Sequence, residues 1–183
     1  MDGIDWTASA MRTARTRLEI AAQNLANASS DGFRKAVARV TLSASGLVTQ
    51  KTTSSEQGAL RHTGRALDLA IVGDGAFLIG GKPTRNGAFM RDAHGFLADD
   101  GGARVQGVHG FVRVAPDGKL LDRIPLPYRS SLVSGALESP NVNAVGEMVD
   151  VLDAQRAFET AQKALGAIDE TRAKAVNELA RLR

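Results

Sequence analysis

Residues 151–182 read VLDAQRAFETAQKALGAIDETRAKAVNELARL, and the pairs Val151/Ala154, Phe158/Ala161, Leu165/Ile168, Arg172/Ala175 and Leu179/Leu182 recur there every seven residues. A seven-residue apolar repeat keeps one seam of a helix turned toward a partner helix. The other end of the chain carries a matching stripe: Ile4, Met11, Leu18 and Leu25, with Thr7, Ala14, Ala21 and Ala28 at the second heptad position. Small seam residues let two backbones approach closely. An isolated helix as short as the first is marginal in water, so each end needs a partner, from its own chain or from a neighbour. The spacing predicts helices over 4–27 and 144–182, the second about 60 Å long at ~1.5 Å per residue. Arg172 interrupts the stripe and reads either as a polar contact that sets register or as a snorkelling side chain.

Between these ends the period changes. Short apolar runs at Leu69-Ala70-Ile71-Val72, Ala76-Phe77-Leu78-Ile79, Phe89-Met90, Val105 and Phe111-Val112-Arg113-Val114 alternate with turn clusters. Those clusters are Gly73-Asp74-Gly75, Asp92-Ala93-His94-Gly95, Asp99-Asp100-Gly101-Gly102 and Pro116-Asp117-Gly118. Such punctuation indicates short antiparallel strands. Pro125 and Pro127 are expected to close the β region, because proline cannot donate to a ladder. The fold class is therefore α+β, with long terminal helices pairing in a coiled-coil-like way around a small antiparallel β domain. The expected division is a helical domain from 1–35 and 138–183, a linker arm over 36–57 and an all-β domain over 58–137. Val37, Val40, Leu42 and Leu47 fit a strand or an extended arm, and 49–57 reads as an exposed loop. Asn141 and Asn143 are both placed to cap the last helix.

Composition narrows the function. Hydrophobic residues make up 43% and charged residues 23%, as in ordinary globular proteins, and there is no cysteine to build a disulfide or thiolate metal site. The net charge of +3 comes from 23 basic and 20 acidic residues dispersed along the chain, not from the clustered patch that nucleic acid requires. No segment is apolar enough for membrane insertion. Arg12, Arg15, Arg17 and Glu19 fall where a secretory signal would keep an uncharged core. Asp68, Asp74, Asp92, Asp99 and Asp100 neighbour glycine-marked turns, where aspartate is an expected residue. His62, His94 and His109 lack zinc-site spacing. Gly73 and Gly75 lack the third glycine and following helix of a phosphate loop. Hence no catalytic, metal or cofactor-binding residues are expected, and no cofactor.

Four blocks resemble the signatures of the bacterial flagellar rod and hook proteins. Asn24-Leu25-Ala26-Asn27 followed by Gly32-Phe33-Arg34 is similar to the family's N-L-A-N and G-F-[KR] elements. Thr63-Gly64 through Leu67-Asp68-Leu69-Ala70-Ile71, then Gly73-Asp74-Gly75-Ala76-Phe77, resembles its T-G-x-x-L-D-[LV]-A-I-x-G-x-G block. Thr84-Arg85-Asn86-Gly87-Ala88-Phe89 with Gly95-Phe96-Leu97 resembles a third, and Asn141-Val142-Asn143, Glu147-Met148-Val149 and Arg156-Ala157-Phe158-Glu159 a fourth. Met1-Asp2 and Phe158-Glu159 with Lys163 lean toward the proximal rod member. Pro140 stands where the family usually has serine, and the chain is compact over 123–135.

The resemblance implies a non-enzymatic subunit of the basal-body rod, polymerising through its terminal helices into the periplasm-spanning shaft. Its partners would be copies of itself, other rod and hook subunits, and the flagellar type III export apparatus, which it would traverse unfolded with no cleaved signal. Subunit packing is expected at Ile4, Met11, Leu18, Asn24, Leu25, Asn27, Val151, Phe158, Leu165, Ile168, Leu179 and Leu182. Gly32 and Phe33 are expected to turn the chain out of the first helix. A distal rod or hook-like subunit is the alternative within the family. From another class, the alternative is a small periplasmic glycan-binding or hydrolytic β domain on a dimerising helix.

Overall fold

The computed structural model describes residues 3–43 and 46–181. Its elements are α1 (Gly3–Ala26), β1 (Ala36–Ser43), β2 (Gly46–Thr53), β3 (Leu60–His62), β4 (Leu69–Val72), β5 (Phe77–Ile79), β6 (Lys82–Thr84), β7 (Met90–Arg91), β8 (Leu97–Ala98), β9 (Gln106–Gly107), β10 (Gly110–Phe111), β11 (Ser131–Ser134), β12 (Ala136–Glu138) and α2 (Ala144–Arg181). The fold is α+β, with terminal helices and antiparallel strands between them. It divides into a helical unit of Met1–Ala26, Ala36–Ser54 and Val142–Arg183, and a β unit of Asn27–Lys35 and Ser55–Asn141.

In the helical unit the stretch expected to be an arm holds a regular hairpin. β1 and β2 pair in register from Ala36↔Thr53 to Ser43↔Gly46. The period of two turns Leu47, Thr49 and Lys51 to one face, and that face meets α1. The Leu47 N–H donates to Ser9 Oγ at 3.4 Å, Thr49 Oγ1 donates to Thr13 Oγ1 at 3.1 Å, and Lys51 Nζ donates to Gln23 Oε1. Val37 and Val48 point the other way and remain exposed. The strand reading of Val37 to Leu47 thus fits better than the extended arm, while the polar Thr49 and Lys51 on the packed face explain why 49–57 read as a loop. Of the two candidate caps it is Asn143 that starts α2, its Oδ1 accepting from the N–H groups of Val145 and Gly146.

The β unit is a patchwork of two-stranded antiparallel ladders around one apolar cluster: Leu69, Ile71, Phe77, Phe89, Leu97, Val105, Val112 and Val114. Phe77 and Phe89 meet edge to face, their centroids 5.0 Å apart. The β region does not stop at Pro125 and Pro127. β11 returns to pair with β4 and β12 with β3, so the chain closes its sheet with strands that follow the prolines. The prolines sit in the connection, where no ladder donor is needed. Gly87 shows why that position takes no side chain: an added Cβ would stand 1.6 Å from the Leu69 carbonyl oxygen.

The aspartates act in turns and clamps. Asp92 Oδ1 accepts from the N–H groups of His94 and Phe96 while Oδ2 accepts from Arg104 Nε, and Asp99 Oδ1 accepts from Ala103 N–H. Asp122 takes both guanidinium hydrogen bonds of Arg113, at 2.9 and 3.0 Å, and also its backbone N–H. Those bonds hold the Asp122 carboxyl down to about 2. A depressed folded-state value means this clamp contributes fully above the ordinary carboxylate value of ~3.9 and is lost as pH falls through about 2. An NMR titration of the Asp122 carboxyl carbon should show its midpoint near 2 in the native chain, and Arg113→Ala should return it toward the ordinary value.

The β unit holds a buried charge cluster. Glu138 is 2% exposed, and its Oε2 stands 2.9 Å from Nε of Arg85, itself 6% exposed. That N–H is not aimed at the oxygen, so the contact is coulombic rather than a well-aligned hydrogen bond. Arg85 instead directs its Nη groups at the carbonyls of Gly73 (2.7 Å) and Gly75 (3.2 Å). Glu138 Oε1 accepts from Gly58 N–H at 3.2 Å and lies 3.5 Å from Arg34. Burial pulls the Arg85 guanidinium below its ordinary value, with Glu138 opposing the shift, and it stays charged. Glu138→Ala would leave buried guanidinium charge uncompensated, and urea denaturation of the β unit should show a loss of about 3–5 kcal/mol.

Candidate assembly interface

The two predicted stripes meet each other inside one chain. At one end Asn24 of α1 reaches Glu147 of α2; at the other, a Cβ placed on Gly3 would lie 3.6 Å from Ile168 Cδ1. Asn24 is as far from Gly3 along α1 as Ile168 is from Glu147 along α2, so the helices run antiparallel with no slippage. Ala14 and Ala21 on α1, and Ala154 and Ala161 on α2, are buried at the seam. Ile4, Met11, Leu18 and Leu25 flank them half-buried, as do Val151, Phe158, Leu165 and Ile168. Alanines at the closest approach and larger residues beside them are what close antiparallel packing of two helices requires.

Asn24 locks this arrangement. It is 2% exposed, and its Oδ1 accepts from the Ala36 N–H at 2.8 Å. Its Nδ2 donates to the Ala36 carbonyl at 2.9 Å and to Glu147 Oε2 at 3.0 Å. Only one orientation of the amide satisfies all three bonds. One side chain thus joins α1, β1 and α2. Expected at a subunit contact, Asn24 is instead spent within its own unit. Asn27 lies in the turn after α1, where its carbonyl accepts from Ser30 N–H.

Gly32 and Phe33 belong to the β unit. Gly32 has φ +71, and a Cβ there would collide with the Arg85 backbone at 2.3 Å, so glycine is required twice over. Its N–H donates to the Glu138 carbonyl at 2.6 Å, and the Phe33 carbonyl accepts from Asn141 N–H. Asn141, the other candidate cap, works as a clasp: Oδ1 accepts from Lys35 N–H and Nδ2 donates to the Glu56 carbonyl.

Beyond Ile168, α2 continues from Asp169 to Arg181 past the described start of α1. Arg172 and Ala175 are exposed on the seam line there. The side chain of Leu179, and Leu182 altogether, lie outside the described residues. Sequence reading also missed a second apolar face on α2: Val145, Met148, Val149 and Leu152 are exposed on the side away from α1. Their i, i+3, i+4, i+7 spacing is the signal that would have found them. Among the described residues no group of three or more histidine, aspartate and glutamate side chains is placed to hold a metal, and no helix is long and apolar enough to cross a membrane.

Comparison with known proteins finds matches at both terminal helices. A family model described as "Flagella basal body rod protein" matches residues 4–34, and one described as "Flagellar basal body rod FlgEFG protein C-terminal" matches residues 133–179. The flagellar basal-body rod protein FlgF of Caulobacter vibrioides is 28% identical over 235 residues, covering 95% of this chain and 96% of the relative. The basal-body rod protein FlgG of Bacillus subtilis is 28% identical over 254 residues, covering 92% and 96%. The flagellar hook protein FlgE of Brucella abortus is 32% identical over 115 residues, covering 54% of this chain and 29% of the relative. An α+β chain whose ends form one helical pair is thus matched at both ends by rod-protein models and over most of its length by two rod relatives. These matches liken the chain to the flagellar basal-body rod proteins.

Asn24→Ala strips partners from the Ala36 N–H and carbonyl and from the Glu147 carboxylate at once. Urea denaturation followed by helical circular dichroism should show a loss of about 2–4 kcal/mol.

Proposed function

We propose that the chain is a subunit of the flagellar basal-body rod, placed toward its proximal end, which polymerises through its terminal helices into the periplasmic shaft. The observation that carries this reading is the mismatch in helix length. α1, of 24 residues, accompanies α2, of 38 residues, only as far as Ile168. At ~1.5 Å per residue about 20 Å of α2 runs on past the described start of α1. A helix end of that length has little stability alone and orders best against another helix. Neighbouring subunits are the natural source of one.

Rod rather than hook is supported by coverage: the rod relatives align along most of their length, whereas the hook relative aligns over 29% of its own. The proximal position rests on Met1-Asp2 and on Phe158-Glu159 with Lys163. Export through the flagellar type III apparatus without a cleaved signal follows from the same family reading, with other rod and hook subunits as partners.

A strain lacking this protein should be non-motile, with incomplete rods in electron micrographs of its basal bodies. Wild-type chain should restore both, and the seam variant Leu165→Asp/Ile168→Asp should restore neither. Intact basal bodies in the null strain would sink the proposal.

A further inference from the structure

Asn86-Gly87 is the one asparagine–glycine pair in the chain. Such a pair carries a latent reaction, because glycine has no Cβ to shield its amide nitrogen from the carboxamide before it. The helical packing and the turn chemistry described above make no use of that property. Asn86 is exposed, whereas Gly87 is buried.

The main chain on both sides of Asn86 is pressed against other backbone. A Cβ on Gly32 would stand 2.3 Å from both the Arg85 carbonyl carbon and the Asn86 nitrogen, so residue 32 lies directly on that peptide. On the other side, a Cβ on Gly87 would meet the Leu69 carbonyl oxygen at 1.6 Å, and the Gly87 carbonyl accepts from Leu69 N–H at 3.0 Å. Asn86 N–H donates to Thr84 Oγ1 at 3.1 Å, and Asn86 Oδ1 accepts from Ala88 N–H at 3.0 Å. Ala88 bridges in turn to Asp68, and Arg85 is buried against Glu138. Residues 85–88 are thus fixed one after another.

We propose that Asn86-Gly87 is a self-modifying site which the fold holds unreactive, and whose reaction in the open chain stops the β unit from forming. In the open chain the Gly87 amide nitrogen, its proton taken by solvent base, attacks Asn86 Cγ. The N–Cγ bond forms, the Cγ–Nδ2 bond breaks, and Nδ2 takes up a proton and leaves as ammonia. Water then opens the cyclic imide. Attack at Cγ leaves an ordinary aspartate; attack at the former main-chain carbonyl leaves isoaspartate, with the chain running through Cγ and a methylene added to the backbone. In the native chain ring closure needs Asn86 χ1 and ψ to turn together. Neither turns while Ala88 holds Oδ1 and Leu69 holds Gly87. Ordinary aspartate is tolerated, since its carboxylate accepts from Ala88 N–H as the amide does. Isoaspartate is not, because its backbone is longer by one C–C bond, about 1.5 Å, between two points already in close contact. Time spent unfolded is thereby converted into a permanent loss of the β unit.

Peptide mapping of the full-length chain by mass spectrometry tests the site. At mildly alkaline pH, chain in denaturing urea should convert Asn86 about tenfold faster or more than native chain, because native conversion waits for the segment to open. After dilution from urea, isoaspartyl chains should lack the native amide NMR signals of Leu69 and Ala88. An isoaspartyl methyltransferase with S-adenosylmethionine, which returns isoaspartate to aspartate, should restore those signals. Asn86→Asp should refold like wild type, which separates the added methylene from the added charge. The proposal is overturned if native and unfolded chains convert at equal rates, or if isoaspartyl chains regain the native spectrum. It is equally overturned if repaired chains or Asn86→Asp chains refold no better than isoaspartyl ones.

Discussion

A single buried carboxylate organises the β unit. Glu138 accepts from Gly58, faces Arg85 and Arg34, and through its own carbonyl takes the N–H of Gly32. Residues far apart in sequence are therefore required at one point, because a buried charge with any partner missing is expensive. The glycine at position 32 follows from this constraint, since the chain must pass directly against the Arg85 backbone to reach Glu138. Asn141, close by in sequence, extends the same logic by gathering residues 33, 35 and 56. The segments that lead into and out of the β unit are thus tied down by polar groups, not by apolar packing.

The helical unit uses the same device on a smaller scale. Its seam is made of alanines flanked by half-buried larger side chains, and a seam of that kind tolerates sliding by a heptad. Asn24 removes the freedom to slide, because its amide is satisfied only when Ala36 and Glu147 are both in place. Apolar stripes give the helices their affinity and one polar group gives them their register, as a buried polar residue does in a coiled coil. With the pairing within the chain fixed in this way, the apolar stripe at 145–152 is left exposed.

Much of this was legible without a structure. Both helices could be read from their heptads, and the antiparallel β class from its glycine and aspartate punctuation. The turn at Gly32 could be read from local chemistry. Of the hairpin at 36–53 the first strand was legible only as one of two alternatives and the second not at all, because its packed face of Leu47, Thr49 and Lys51 has no hydrophobic pattern to distinguish it from a loop. Strands after Pro125 and Pro127 were missed for a different reason. Proline stops a ladder locally, but says nothing of a strand that returns to pair with residues about sixty positions earlier.

The amino-acid sequence alone determined the two terminal helices and the α+β class, because periodicity and turn chemistry are local properties. Only the tertiary structure decided which face of each helix is spent within the chain and which is left over. It also decided that Asn24 serves its own unit and that Arg34, Arg85 and Glu138 form one cluster. Those outcomes depend on pairings between residues far apart in sequence, 123 positions in the case of Asn24 and Glu147. No local pattern encodes such a pairing; it exists only where folding has brought both partners out of water together.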